Sequence, residues 1–208
     1  PGSYVLHYNV SDESGNGADE AMRTVNVEDT TKPVINLVGD AAVTVECGGA
    51  YTDVGATALD VCEGDLADSI VLAGAVDTFV PGSYTLHYNV SDSSGNAADE
   101  VMRTVNVSDT TKPVISLVGD AAVMVECGDT YTDAGATALD VCEGDLTASI
   151  AMTGVVDASV PGSYMLHYNV SDSIGNAADE TTRTVNVADT TKPVISLVGD
   201  AAVIVECG

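Results

Sequence analysis

The chain has 208 residues and a formal net charge of −26, with 32 Asp and Glu against 6 Lys and Arg. Such acidity excludes nucleic acid and anionic membrane as partners, because both are bound through positive charge. Hydrophobic residues make up 45% of the chain in ordered alternation, which excludes the disorder that acidic composition can bring, and no apolar run approaches the roughly 18 residues of direct membrane insertion.

Taken in chain order, the sequence repeats itself at an interval of 80 residues. "PGSY" stands at 1, 81 and 161, "LHYNVSD" at 6, 86 and 166, "DTTKPVI" at 29, 109 and 189, and "VECG" at 45, 125 and 205. Residues 29–108 and 109–188 align without a gap and agree at most positions. The period divides the chain into the C-terminal part of a module (1–28), two whole modules (29–108 and 109–188) and the N-terminal part of a further one (189–208). This predicts a window on a longer tandem array.

Within 109–188, "PVISL" (113–117) opens a β-rich segment and "AAVMVE" (121–126) follows a Gly-Asp turn. "YTDAGATAL" (131–139) is a third segment with a bend expected at Gly135, and "SIAMTGVV" (149–156) a fourth. In "SYMLHYNVS" (163–171), Tyr164, Leu166, Tyr168 and Val170 fall on one face, and Met165, His167 and Asn169 on the other. "SDSIGN" (171–176) is a turn, and "TTRTVNV" (181–187) alternates again, with Arg183, Val185 and Val187 inward. No helical period is present. Short strands punctuated by Gly, Pro, Asp and Asn predict an all-β fold of tandem β-sandwich modules. Arg23, Arg103 and Arg183 are expected inward, each paired with a carboxylate. His7, His87 and His167 are expected on the outer face, with no nucleophile beside them and no catalytic role, so the chain reads as no enzyme. "NVS" at 9–11, 89–91, 106–108 and 169–171 fits the N-glycosylation pattern.

The cysteines Cys47, Cys62, Cys127, Cys142 and Cys207 form a repeating "ECG…DVCEGD" pair, with Cys207 opening a third. Two Cys and one distant His per module do not make a zinc site. Structural disulfides are the better reading, and they place the chain in an oxidising, extracellular setting. Two pairings stand open. Bridges inside each module (Cys47 with Cys62, Cys127 with Cys142) are favoured because they close locally. They require 113–126 to fold back as a hairpin; if 121–126 instead runs on from the first strand, the two cysteines lie at opposite poles and the bridge joins neighbouring modules, Cys47 with Cys142 for example.

In "PGSYMLHY", the Tyr precedes an inward apolar residue by two places, like the tyrosine corner of immunoglobulin-like domains. Tyr84 and Tyr164 take the Tyr place, and Leu86 and Leu166 the second core position. The whole pattern, "DTTKPVISLVGDAAV…VECG…YTDAGATALDVCEGDL…PGSY…LHYNVSDS…GNAA…RTVNV", resembles the bacterial surface immunoglobulin-like repeat, which is similar in style to hyalin-repeat and cadherin-like modules. The resemblance implies immunoglobulin-like sandwiches strung in tandem as stalks, spacers or adhesin shafts at a bacterial-type cell surface or in the extracellular space. It also implies calcium at module ends.

The acids gather where such a sandwich brings the start of its first strand, its B–C loop and its F–G loop to one pole. In one module these are Asp29, Asp60, Glu63, Asp65, Asp92, Asn96 and Asp99; in the next they are Asp109, Asp140, Glu143, Asp145, Asp172, Asn176 and Asp179. Calcium takes six to eight oxygen ligands of these kinds. The expected function is therefore a structural or adhesive fibre, stiffened by calcium at module junctions and by disulfides. Its partners are neighbouring modules of the same chain and further copies that self-associate into filaments. A carbohydrate-binding surface module is the alternative.

Overall fold

The computed structural model describes residues 1–208, which fold as two units, Pro1–Asp109 and Thr110–Gly208. The first begins with a hairpin of β1 (Gly2–Tyr8) and β2 (Ala21–Val27), exposed along its whole length. The first whole module follows with β3 (Val34–Leu37), β4 (Ala42–Glu46), β5 (Ala56–Asp60), β6 (Gly64–Asp65), β7 (Val71–Ala73), β8 (Gly82–Asn89) and β9 (Val101–Ser108). These strands form two sheets, ordered β3-β5-β6 and β4-β9-β8-β7.

The second unit repeats the plan with β10 (Val114–Leu117), β11 (Ala122–Glu126), β12 (Ala136–Asp140), β13 (Gly144–Asp145), β14 (Ala151–Thr153), β15 (Gly162–Asn169) and β16 (Thr181–Ala188). Its sheets are β10-β12-β13 and β11-β16-β15-β14. The module is thus the β-sandwich that the alternation predicts, on the immunoglobulin-like plan that the tyrosine-corner motif and the resemblance imply. The third expected segment is shorter than its sequence suggests. Residues 131–135 are irregular, Gly135 turns the chain with φ +81°, and β12 starts only after it.

One crossing decides the topology. The first strand of each module changes sheets halfway. β3 pairs antiparallel with β5, and after a turn the chain continues as β4, which pairs parallel with β9. A hairpin of β3 on β4 would need antiparallel pairing between them, and no such pairing forms. The core lies between the sheets. Ile35, Ala58, Leu86, Tyr88, Val90 and Val105 fill it in the first module, and Leu166, Tyr168 and Val185 in the second. The tyrosine corner forms as read: the Tyr84 hydroxyl donates to the Val80 carbonyl at 2.8 Å, and that of Tyr164 to Val160 at 2.9 Å.

The inward arginines hold the crossing. In Arg103, Nε donates to the Asp40 carbonyl at 3.0 Å and a terminal nitrogen to Gly55 at 3.2 Å; the guanidinium also reaches the Val38 carbonyl and the Asp53 carboxylate. Asp53 further accepts the hydroxyls of Tyr51 at 3.0 Å and Tyr88 at 2.7 Å. Arg183 repeats the set with Asp120, Gly135, Val118 and Asp133. The outer-face histidines pair with acids: Nδ1 of His87 lies 3.0 Å from Glu100.

The favoured disulfides are corrected by this topology. Cys62, Cys127 and Cys207 are free thiols, and Cys47 and Cys142 are the disulfide-bonded cysteines. Neither Cys47–Cys62 nor Cys127–Cys142 forms. Because β4 runs on from β3 rather than back along it, Cys47 emerges at the lower pole, where its N–H donates to the Ser108 carbonyl at the end of β9. Cys62 follows β5 and stands at the upper pole beside Asp29 and Asp60.

Candidate functional site

The upper pole of the first module is built from three chain segments. The "DTTKP" approach to β3 supplies Asp29. The end of β5 supplies Asp60, and the β8–β9 hairpin supplies Asp92 and Asn96. All three aspartates are buried, Asp29 at 8%, Asp60 at 4% and Asp92 at 6% exposure. Ligand atoms of Asp29, Asp60 and Cys62 lie within 4.8 Å of one another. The Asn96 amide joins the hairpin to this group, donating to the Asp29 carbonyl at 3.2 Å and to the Asp92 carboxylate at 2.6 Å.

Each aspartate first serves its own turn. Asp29 Oδ1 accepts the Thr31 N–H at 3.1 Å and the Thr31 hydroxyl at 2.8 Å. Asp60 Oδ1 accepts the N–H groups of Cys62 at 2.7 Å and Glu63 at 3.0 Å. These are the local side-chain-to-backbone bonds that Asp makes in turns. The second oxygens have no such use. Oδ2 of Asp29 and Oδ2 of Asp60 are buried and accept no hydrogen bond. A buried, unsatisfied carboxylate oxygen is costly, and these two belong to one cluster. The Thr31 hydroxyl bond holds the Asp29 carboxyl below the usual range against the opposing effect of burial. Partial enclosure, with Asp29 and Asp60 beside it, pushes the Cys62 thiol up.

The same cradle recurs in the second unit. Asp140 Oδ1 accepts Cys142 N–H at 2.7 Å and Glu143 N–H at 2.9 Å, while its Oδ2 is buried without a partner. Carboxylate oxygens of Asp140 and Asp172 lie within 4.8 Å of each other. Asp109 is likewise buried. The donor set is hard oxygen, which fits a calcium ion; a thiol sulfur does not suit that ion.

The remaining acids of the expected set stand elsewhere. Glu63 accepts the Ser93 N–H at 2.8 Å and Glu143 that of Ser173 at 2.8 Å, so each ties its B–C loop to the last hairpin. Asp65 and Asp145 each accept an N–H two residues on, from Ala67 and Thr147, at the start of the short 3-10 turns that follow. Asp99 and Asp179 are exposed and pair with Lys32 and Lys112.

Sequence reasoning passed over one residue at the other pole. Glu126, in the repeated "VECG", accepts the Thr190 N–H at 2.8 Å, the Thr190 hydroxyl at 2.5 Å, the Thr191 N–H at 3.0 Å and the Thr191 hydroxyl at 2.9 Å. These bonds hold its carboxyl below the usual glutamate range. The third "DTTKP" is thereby clasped by the second module. The signal was present in the sequence, since "VECG" and "DTT" recur with the same period, but nothing local links the two. Glu126→Ala is expected to speed amide exchange at Thr190 and Thr191 by about tenfold or more. Unchanged exchange would show that other contacts hold this segment.

Comparison with known proteins bears on the whole repeat. Residues 35–107 and 115–187 each match the family described as bacterial surface protein, Ig-like domain. The chain is similar to hyalin of Lytechinus variegatus, 35% identical over 148 residues, covering 65% of this chain and 27% of hyalin. It is also similar to hyalin of Strongylocentrotus purpuratus, 31% identical over 221 residues, covering 99% of this chain and 18% of that protein. The chain thus spans only about a quarter or less of these relatives. Among solved structures, the lipoprotein BT2262 from Bacteroides thetaiotaomicron aligns at 16% identity with a TM-score of 0.35, covering 73% of this chain and 99% of that one.

Proposed function

Because the chain belongs to the bacterial surface protein Ig-like domain family, we propose that it is a stretch of a structural or adhesive extracellular stalk or fibre at a bacterial-type surface. In this reading, calcium stiffens the approach to each module. The observation that carries it is the pair of buried, unsatisfied oxygens, Asp29 Oδ2 and Asp60 Oδ2. One belongs to the "DTTKP" segment and the other to the body of the module. An ion held between them would fix that segment to the module, with Asp92 and the Asn96 amide adjoining. Asp140 and Asp172 would serve the second module in the same way.

The Glu126 clasp supports a constrained joint from the other pole. The carbohydrate-binding alternative is less well supported. A sugar platform needs exposed aromatic faces, and Tyr51, Tyr88, Tyr131 and Tyr168 are spent on the inward networks around Asp53 and Asp133.

Thermal unfolding of the full chain in millimolar calcium and then in EDTA tests the reading. A cation that binds only the folded state raises the melting temperature, by about 10 °C for an ion at a hundred times its dissociation constant. The double variant Asp60→Asn with Asp140→Asn keeps the Oδ1 acceptor that each turn uses and is expected to abolish most of that rise. Equal melting with calcium and EDTA would mean that the cluster holds no calcium.

A further inference from the structure

In a sandwich strand the inward positions are apolar and the outward ones polar. The strand "ATALD" inverts this rule at its end. In β12, Asp140 is buried at 3% exposure while its neighbour Leu139 is 64% exposed. β5 does the same, with Asp60 at 4% and Leu59 at 63%. The upper-pole cradle accounts for the buried acid. It does not account for the outward leucine.

Leu139 is the centre of a row that crosses its whole sheet. Val114 of β10 stands opposite it on one side and Asp145 of β13 on the other. Residues paired in this way share a face. Val114 and Asp145 are exposed, as is Val141, two residues beyond Leu139. Together they line an open hollow of about 540 Å³, with Ser116 and Thr137 in the next row. The first module carries the same row as Val34, Leu59 and Asp65, with Val61 beyond it.

The row ends on an acid that has no cation. In the two whole modules every Lys and Arg is taken: Lys32 by Asp99, Arg103 by Asp53, Lys112 by Asp179 and Arg183 by Asp133. Asp65 and Asp145 accept backbone N–H groups and pair with none of these. Bonds from Thr147 hold the Asp145 carboxyl below the usual range, so it is charged at neutral pH. An apolar strip that ends on a carboxylate matches the side chain of Lys or Arg, an aliphatic stem with a cationic head. A second copy of this chain does not match, because each copy carries a net charge of −26.

We propose that the outer face of the three-stranded sheet in each module is a docking surface for a basic segment of a partner protein. The stem of a Lys or Arg lies on Val114 and Leu139 and its head meets Asp145; Val34, Leu59 and Asp65 serve the first module in the same way. One exposed ion pair is weak. The face recurs every 80 residues, so a partner with several basic segments gains by multivalency. This inference is independent of the calcium reading.

The test uses the full chain in EDTA, so that no divalent cation competes for the carboxylates. The probe is a fluorescein-labelled short peptide of alternating Lys and Gly, followed by fluorescence anisotropy, and it is expected to bind. Leu59→Ser with Leu139→Ser leaves the charge unchanged and should weaken binding by about fivefold or more, through lost apolar contact. Asp65→Asn with Asp145→Asn keeps the Oδ1 acceptors and should weaken it by about tenfold. Glu13→Gln with Asp129→Asn removes the same charge from exposed positions elsewhere, and should change affinity by less than about twofold. Absence of binding overturns the inference. So does an equal loss with both acid pairs, or an unchanged affinity with the leucine pair, since the peptide would then sense only net charge. Sedimentation of the chain alone is the last arm. A dimer that the leucine pair abolishes would mean that the face takes a second copy, and also overturns it.

Discussion

Arg103→Ala is expected to cost about 3–5 kcal/mol of module stability, most of what a domain of this size has in hand. The Arg103 side chain is 1% exposed, and its guanidinium serves four acceptors at once. Three are main-chain carbonyls at Val38, Asp40 and Gly55, on the two turns that flank the sheet crossing. The fourth is Asp53, whose charge would be left uncompensated. The Tyr88 ring also loses a cation stacked 5.8 Å from its centre. Arg103→Lys retains the charge but not the planar fork, and should fall between the two. Urea unfolding of the full chain measures this. The transition of the first module should move to markedly lower urea while that of the second stays in place, and Arg183→Ala should do the converse. A loss below about 1 kcal/mol would mean that the crossing is held by packing alone.

The same network makes stability depend on acid. Burial by itself would raise the Asp53 carboxyl, but hydrogen bonds from Tyr88 and Tyr51 and the charge of Arg103 outweigh it and hold the group below its ordinary value. Asp133 is held down in the same way by Tyr168, Tyr131 and Arg183. Burial and the bond to Asp53 push the Tyr88 hydroxyl up to about 12, so it stays a donor through the neutral range. A carboxyl lowered in the folded state contributes stability above its unfolded value, about 3.9, and loses it as pH falls through the folded value. Stability should therefore hold from neutral pH down to about 4 and decline below that. Arg103→Ala should weaken this decline in the first module, which a pH series of urea melts would detect. A decline of the same size in both proteins would place the acid-sensitive groups elsewhere.

Gly74→Ala and Gly154→Ala are expected to cost roughly 2–4 kcal/mol each, from left-handed strain and steric displacement together. Both glycines end the short edge strands with φ +102°. A Cβ there would sit on the carbonyl oxygen of Thr85 or Met165, atoms of the neighbouring long strand, with no flexible side chain to yield. Gly95→Ala is the internal comparison. It has φ +91° but open space around it, so it should cost only the strain. Thermal melts of the three variants separate the two effects. Equal losses at Gly74 and Gly95 would mean that the strand backbone gives way without cost.

Much of this was legible in one dimension. The 80-residue period marks the modules, and period-two alternation places Leu86, Tyr88, Val105 and Arg103 inward, because a strand turns alternate side chains to opposite faces whatever surrounds it. The tyrosine corner is also local, reaching only four residues back from Tyr84 to Val80. The turn roles of Asp60 and Asp65 are of the same kind, since each bonds an amide two residues on.

What the sequence could not settle are pairings across long separations. Arg103 was expected to find a carboxylate, but which one depends on where β3 leaves its sheet, and Asp53 is fifty residues away. Glu126 and Thr190 are 64 residues apart and meet only because β11 runs parallel to β16 and both end at the same pole. The favoured cysteine pairing failed for the same reason, and the alternative with the cysteines at opposite poles held: fifteen residues of separation looked like a closable loop, yet the sheet crossing sends Cys47 and Cys62 to opposite ends of the sandwich. By itself, the sequence determined the repeat, the strands and their inward faces, because these follow from local periodicity. The tertiary structure decided which cysteines are oxidised, which aspartates share a cluster and which glutamate clasps a linker, because these depend on the direction in which one short strand leaves its turn.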